Sequence, residues 1–277
     1  MTIGVFLVVL LAAALHATWN AVVRGGSDTL LTTIMVTGSA ALIAIALLPF
    51  LPAPARPSWP FIAASTILQI GYFILVARIY RIADMSETYP VMRGTAPLLV
   101  AVASVVFLHE ALAPLAWLGV ILICCGILGM TAGRRMRPGK GIALALLNAL
   151  VIASYTLIDG AGVRRSGAPA SYTLWIFLLT GAPFALWALA ARGQAFRRYV
   201  AGNWPAGLVG GLGTIMAYGL ALWAMTLAPL AMIAALRETS ILFAIAISAL
   251  FLKERVRFGS VAGACIIAAG AIVLRLA

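Results

Sequence analysis

The sequence predicts an all-α membrane protein with ten transmembrane helices, arranged as two inverted five-helix repeats. The first observation is composition: 64% of the 277 residues are hydrophobic and 9% are charged, whereas soluble domains are about 45–50% apolar and about 25% charged. The second observation is a series of long apolar runs, and the third is a match between the two halves of the chain. A chain this apolar must meet lipid over most of its outer surface.

Ten apolar runs are long enough to cross a hydrocarbon core about 30 Å thick, which takes about 20 helical residues. Short segments rich in Gly, Pro or charged residues separate them, as turns require. The breaks near residues 84 and 228 are the shortest, so tight turns must join the helices on either side. The runs cover residues 3–23, 29–51, 60–82, 86–108, 113–132, 141–163, 171–191, 204–227, 229–252 and 256–275.

The two halves of the chain match when one is shifted by 144 positions. Arg93 then corresponds to Arg237, and Glu110 corresponds to Glu254. Arginine is rare inside membrane helices, so an Arg–Arg match in this register indicates a duplication more strongly than matches between apolar residues do. The other matches pair Gly119 with Gly263, Gly126 with Gly270, and Phe107-Leu108 with Phe251-Leu252.

Each repeat has an odd number of helices, so the second must enter the membrane upside down, as in many transporters. We place the first repeat at 1–133, a basic connecting loop at 134–140 and the inverted repeat at 141–277. Basic residues follow odd-numbered runs in the first half but the second and fourth runs of the second half. Most basic connections therefore share one side, which the positive-inside rule assigns to the cytoplasm. We expect a cytoplasmic (inner) membrane protein with both termini outside, on the non-cytoplasmic side. Four residues favour the other orientation: Arg56, Arg164, Arg165 and Arg275.

The net charge of +12 does not indicate a nucleic-acid-binding protein. The basic residues lie mainly in short connections between apolar runs and form no large soluble basic face. The sequence contains no P-loop, no zinc-ligand spacing and no nucleophile elbow. We therefore expect no ATP drive, no enzymatic activity, no cofactor and no bound metal. The expected partners are a small-molecule substrate, the lipid bilayer and, as a coupling ion, the proton.

Charged side chains inside two apolar runs are the first candidates for a substrate site. Arg93 lies about two turns into the fourth run, and Arg237 and Glu238 lie about two turns into the ninth. Such a residue costs roughly 2.5–3.5 kcal/mol near the bilayer centre, so it must face water or a partner. One hypothesis is that the arginines bind a substrate carboxylate or phosphate, while Glu238 accepts a proton or an amine. The alternative is that an arginine pairs with Glu238, or caps backbone carbonyls, and only holds helices together.

Polar and aromatic side chains on the first, fourth and sixth runs form the second group of candidates. His16, Trp19 and Asn20 share one helical face, which lipid cannot satisfy and which should therefore turn inward. The His16 imidazole can exchange a proton near neutral pH, so it is either a proton-coupling group or a hydrogen-bond partner between helices. We expect Tyr89 and Tyr155 to line the same pocket, because pockets are mainly apolar and aromatic with few polar anchors.

For the carboxylates near predicted helix ends we expect solvation or a structural role. Asp159 shares a helical face with Tyr155, but it lies close enough to the end of the sixth run for water to solvate it. Glu110 and Glu254 lie just past the fourth and ninth runs. We interpret both as structural groups that accept hydrogen bonds or pair with nearby basic residues.

Several of these motifs resemble those of the drug/metabolite transporter superfamily, in particular its ten-helix EamA-type exporters. The resemblance covers nearly the whole chain and implies a central cavity between the halves, lined by helices 1, 3, 4, 6, 8 and 9. It also implies export of amino acids or other small metabolites, either coupled to protons or facilitated. The general family pattern assigns no role to Arg93, Arg237 or Glu238. The resemblance rests on Phe107-Leu108-His109-Glu110, Phe251-Leu252-Lys253-Glu254, the four matched glycines, Trp19-Asn20 and Tyr155-Thr156.

The sequence therefore predicts a secondary-active or facilitative exporter that works by alternating access around a midplane cavity. Amino acids are the favoured substrates, because two buried arginines against one buried glutamate argue against a cation. A lipid-carrier flippase of the same fold is the nearest alternative within transport. An intramembrane lipid-modifying enzyme and a non-transporting assembly subunit are alternatives from other classes. Because the duplicated chain encloses a cavity by itself, we expect a monomer.

Overall fold

The computed structural model describes residues 1–131, 139–250 and 258–277. The predicted loop at 134–140 lies largely outside the described residues, as does the whole Phe251-Leu252-Lys253-Glu254 motif. The regular elements of the described part are helices. They are α1 (Ile3–Gly25), α2 (Thr29–Leu47), α3 (Trp59–Ile82), α4 (Met85–Leu108), α5 (Pro114–Gly129), α6 (Lys140–Ser166), α7 (Pro169–Met225), α8 (Leu230–Arg237), α9 (Ser240–Leu250) and α10 (Phe258–Leu276).

Eight helical stretches of the described chain are long and apolar enough to cross a membrane, and α5 is a shorter apolar helix. In this count α8 and α9 together form one stretch, and the 57-residue α7 forms another. Helix α7 is not one straight rod, because Gly193 has a non-helical backbone (φ 45°, ψ −115°) where two helices merge across a kink. Glycine tolerates a positive φ that other residues avoid. The prediction of an all-helical membrane protein is confirmed, while the number of spans stays a prediction.

Tight turns join the helices at the two shortest predicted breaks. Ala83 and Asp84 separate α3 from α4, and the Asp84 carbonyl accepts both the backbone N–H and the hydroxyl of Thr88. At the second break the Thr226 hydroxyl caps the end of α7 by donating to the Trp223 carbonyl at 2.6 Å. Pro229 then precedes α8, where a ring-fixed φ and a missing N–H suit the start of a helix. Both predicted turns are confirmed.

The ninth predicted run is interrupted. Helix α8 ends at Arg237 and α9 begins at Ser240, and Glu238 and Thr239 form a turn between them. The backbone N–H groups of Glu238 and Thr239 donate to carbonyls three residues earlier, which is the tighter bonding of a 3-10 turn. The prediction of one unbroken helix over 229–252 is therefore wrong at this point.

Helices α5 and α10 cross at two pairs of glycines. A Cβ atom added to Gly119 would lie 3.0 Å from the Gly270 carbonyl oxygen, and one added to Gly126 would lie 2.9 Å from that of Gly263. Such close backbone packing is common between membrane helices. Because the repeat relates Gly119 to Gly263 and Gly126 to Gly270, each contact maps onto the other, as contacts across a two-fold axis do. The two helices run antiparallel at this crossing.

The first helix of each repeat packs on the other repeat. Helix α1 contacts α7, α8 and α9, whereas α6 contacts α3 and α4. The contact of α1 with α7 includes the segment after the Gly193 kink, because a Cβ added to Gly213 would lie 3.2 Å from the Cβ of Trp19. This crossed packing buries the centre of the molecule between the two repeats.

Candidate functional site

Arg93 and Glu238 form a buried ion pair between the repeats. Arg93 Nε lies 2.8 Å from Glu238 Oε2, and the side chains are 10% and 7% exposed. The contact is an ion pair rather than a well-aligned hydrogen bond. Arg93 Nη2 also donates to Ser240 Oγ at 3.5 Å, and the guanidinium lies 6.0 Å from the centroid of the Tyr89 ring. The turn between α8 and α9 thus supplies the anion that neutralises a cation of α4.

Arg237 has a different environment. Its guanidinium carbon lies 4.9 Å from the centroid of the Tyr218 ring, which is within the range of a cation–π contact. The side chain is half-buried. Within the described ranges no carboxylate lies at ion-pair distance from it. In this part of the chain Arg237 is therefore a cation without a directly paired anion.

Asp159 on α6 is fully buried and accepts hydrogen bonds from three neutral donors. The Tyr218 hydroxyl donates to Oδ2 at 2.5 Å, the Tyr172 hydroxyl to Oδ1 at 3.2 Å, and Gln69 Nε2 to Oδ2 at 3.3 Å. The prediction that water solvates Asp159 is therefore wrong. Helix α6 continues to Ser166, and side chains of α3 and α7 cover the carboxylate, which the position of Asp159 near the end of an apolar run does not reveal.

An open crevice of about 190 Å³ lies beside the ion pair, between α1, α4 and α9. The predicted residues His16, Asn20 and Tyr89 line it, together with Ser240, which contacts Arg93. The crevice continues along α9 as far as Ser248. It is smaller than the pockets of about 300–1,000 Å³ that hold drug-sized ligands.

Trp19 and Tyr155 lie in other contacts. The Trp19 ring meets that of His16 edge to face, with centroids 5.3 Å apart, and its Cβ faces Gly213 of α7. The Tyr155 ring is buried against Tyr72 of α3, with centroids 6.0 Å apart. The structure therefore brings His16 and Asn20 to the crevice, while Trp19 packs beside them on α7.

Glu110 and Arg164 clasp the repeats together at the ends of α4 and α6. Arg164 Nη1 lies 2.7 Å from Glu110 Oε1, and Glu110 Oε2 accepts the backbone N–H of Leu230 at 2.9 Å. Arg164 also donates to the carbonyls of Met225 and Ala228 at 2.7 and 2.9 Å. The structural interpretation of Glu110 is confirmed, and Glu254 lies outside the described residues. The crevice extends from Ser240 toward Ser248, away from Leu230 and this clasp.

The sequence matches a known family over both halves. A model described as the EamA-like transporter family matches residues 2–132 and 139–276. The chain belongs to the EamA-like transporter family. The match has two segments, so the duplication inferred from the Arg–Arg register is confirmed, and the chain is a multi-pass membrane transporter of small molecules.

The fold of this EamA-like chain is also found among solved structures. One crystal structure with 18% sequence identity aligns over 100% of this chain and 98% of the other, with a TM-score of 0.79. At this identity the likeness shows the fold and not the substrate. No protein with a curated description matches the chain.

The buried hydrogen bonds of Asp159 to Gln69, Tyr172 and Tyr218 are the part of this centre that the sequence did not predict. The four-residue spacing of Tyr155 and Asp159 was one signal, and the same spacing of Ser65 and Gln69 in another apolar run was a second signal that was not used. That spacing places each pair on one face of a helix. Gln69 Nε2 donates to Ser65 Oγ at 3.0 Å as well as to Asp159. Two polar faces on neighbouring helices were therefore candidates for a shared buried contact.

Proposed function

We propose that the protein is a secondary-active or facilitative exporter of small organic metabolites, with amino acids as the favoured substrates. The observation that carries this is the arrangement of charges between the repeats. Glu238 neutralises Arg93, whereas Arg237 is half-buried and has no directly paired carboxylate within the described residues. A membrane interior tolerates such a cation best where it meets water or an anionic ligand.

Arg237 takes the substrate carboxylate in this proposal. A guanidinium presents paired N–H donors that match the planar carboxylate group. Glu238 already attracts Arg93 through Oε2, and it attracts the amine of a zwitterion at the same time. The Arg93–Glu238 pair is neutral as a unit, and Arg237, which has no carboxylate at ion-pair distance within the described residues, supplies the donor pair that meets the substrate carboxylate.

We assign the remaining candidates to the same substrate site, although Arg93, Arg237 and Glu238 do not themselves line the crevice. His16, Asn20 and Tyr89 line the crevice beside the ion pair and supply its polar anchors. Trp19 and Tyr155 shape its surroundings through their ring contacts with His16 and Tyr72. Few polar groups on an otherwise apolar surface are typical of small-molecule sites.

Ten membrane crossings are part of the proposal. At 1.5 Å per residue, the 57-residue α7 would be about 85 Å long, far more than the bilayer core of about 30 Å. The kink at Gly193 lies between two apolar arms, and Arg192, Arg197 and Arg198 lie close to it. We therefore treat the arms as two crossings and α5 as another. An odd number of crossings per repeat then gives inverted halves, with both termini on the non-cytoplasmic side of the inner membrane.

Alternating access is supported by the difference between the two ends of the molecule. The Glu110–Arg164 clasp holds the ends of α4 and α6 to the turn before α8. The crevice extends along α9 in the opposite direction. Opening the clasp while the crevice closes would expose the site to the other side. The turn at Glu238 interrupts the helix between the two ends and is a natural point of bending.

Transport by purified protein in liposomes tests the proposed function. We expect saturable counterflow of an equimolar mixture of labelled amino acids, and loss of that flux in Arg237→Ala. Arg237→Lys is the matched control, because it keeps the charge but not the planar donor pair, and should retain weaker transport. Full flux in a folded Arg237→Ala variant contradicts the role of Arg237. No flux by the wild type contradicts amino-acid transport and turns attention to other metabolites, lipid carriers or a role without transport.

A further inference from the structure

We propose that Asp159 is a positioning residue for the substrate site: it holds Tyr218 beneath Arg237, so that the guanidinium is presented to the substrate anion. This role rests on the proposed function, because it assumes that Arg237 meets the anion. It adds a carboxylate on another helix to the set of groups that determine affinity. Asp159 itself does not contact substrate.

A chain of three contacts carries the proposal. Asp159 Oδ2 accepts the Tyr218 hydroxyl at 2.5 Å. The ring of Tyr218 then lies 4.9 Å from the guanidinium carbon of Arg237. Gln69 of α3 donates to the same carboxylate oxygen at 3.3 Å. The Asp159 carboxylate therefore fixes the position of the Tyr218 ring, and it accepts hydrogen bonds from side chains of both repeats.

The chemistry of the Tyr218 ring favours this role. A hydroxyl that donates to a carboxylate makes a charge-assisted bond, which is stronger than a bond between neutral groups. The same contact places negative charge next to a ring whose face already attracts cations. Arg237 is the last residue of α8 and has no carboxylate at ion-pair distance within the described residues. The Tyr218 ring is thus the cation–π partner of Arg237 in this part of the chain.

Tyr172 provides an internal comparison. Its hydroxyl donates to the other oxygen of Asp159, Oδ1, at 3.2 Å. Its hydroxyl packs closely on Gly162 of α6, where an added Cβ would collide with it and with the Cβ of Phe61. The two tyrosines are alike in being buried and in bonding to Asp159, but Tyr218 is the one beneath Arg237. If the carboxylate had only a structural role, removing either hydroxyl would leave the affinity for substrate unchanged.

The test compares Tyr218→Phe with Tyr172→Phe in liposomes, with the equimolar labelled amino-acid mixture as the probe. Each variant removes one hydroxyl donor to Asp159, so we expect similar losses of melting temperature in detergent. Only Tyr218→Phe should raise the half-saturation concentration for counterflow, by about 3- to 10-fold, with the maximal rate unchanged. Tyr172→Phe should stay within about 2-fold of the wild type. Equal half-saturation constants in the two variants overturn the positioning role.

A second variant covers the case in which Tyr218→Phe does not fold. Asp159→Asn keeps both tyrosines and one carbonyl acceptor but removes the negative charge, and the same rise in half-saturation is expected. An unchanged half-saturation constant in Asp159→Asn overturns the proposal. If the proposed function is wrong, the wild type itself shows no saturable flux, and the positioning role is then wrong as well. If only the positioning role is wrong, the wild type transports and the variants keep its half-saturation constant.

Discussion

Arg93 and Arg237 occupy equivalent positions in the two repeats, yet they have different partners. Arg93 lies within the continuous helix α4 and is paired with Glu238. Arg237 lies where α8 ends and rests on the ring of Tyr218. The residue that follows differs as well, since Gly94 corresponds to Glu238. A Cβ at Gly94 would lie 2.8 Å from Leu128 Cγ, so α4 packs too closely on α5 to accept a carboxylate there.

The difference between the two arginines shows that a symmetric frame can hold an asymmetric site. The glycine crossings of α5 and α10 obey the two-fold relation at every contact, including the packing of Ile123 on Gly270 and of Ile267 on Gly126. The charges at the centre do not obey it. One arginine copy is part of an ion pair, and the other lies against the Tyr218 ring without a carboxylate at ion-pair distance in the described residues. We infer that packing retained the duplication while the site diverged from it.

Removing the partner of Arg93 should have the largest effect on stability. Glu238→Gln leaves a buried guanidinium without its anion, and breaking a buried ion pair from one side costs about 3–5 kcal/mol. We expect a large fall in the melting temperature in detergent and in the yield of folded protein. The double variant Arg93→Met with Glu238→Gln should recover much of the loss, because no unpaired charge remains. A Glu238→Gln protein as stable as the wild type would contradict the neutralising role of Glu238.

Adding a methyl group at the α5–α10 crossing should test the symmetric frame. Gly126→Ala and Gly270→Ala are repeat-equivalent, and each new Cβ would lie 2.9 Å from a backbone carbonyl of the other helix. Overpacking of this kind costs about 1–3 kcal/mol, and the two variants should lose similar stability. Gly129→Ala is the control, because no atom of another element lies within 4 Å of the added Cβ. Unequal effects at Gly126 and Gly270 would break the symmetry argument.

The sequence was sufficient to predict the frame but not the partners within the site. The apolar runs predicted an all-helical membrane protein, and the match of Arg93 with Arg237 predicted the duplication, because both are properties of residues along the chain. The break at Glu238 was missed because its neighbours are compatible with a helix. The burial of Asp159 was missed because α3 and α7 cover it. The pairing of Glu238 with Arg93 rather than Arg237 also depends on how the two repeats pack together.

Removing the charge at the second arginine should have the smallest effect on stability. A cation–π contact contributes about 0.5–1 kcal/mol at an exposed site and about 2 kcal/mol when it is desolvated, so Arg237→Met should lower the stability by about 1–2 kcal/mol. Arg93→Met should lower it much more, because it leaves Glu238 as a buried unpaired carboxylate. Thermal unfolding of the two purified variants in the same detergent compares these effects directly. If the losses are equal, Arg237 has a structural partner of similar strength, and the division between a neutralised arginine and a ligand-binding arginine does not hold. If Arg93→Met is much the less stable protein, the two copies have separated into a packing residue and a residue that the frame does not need.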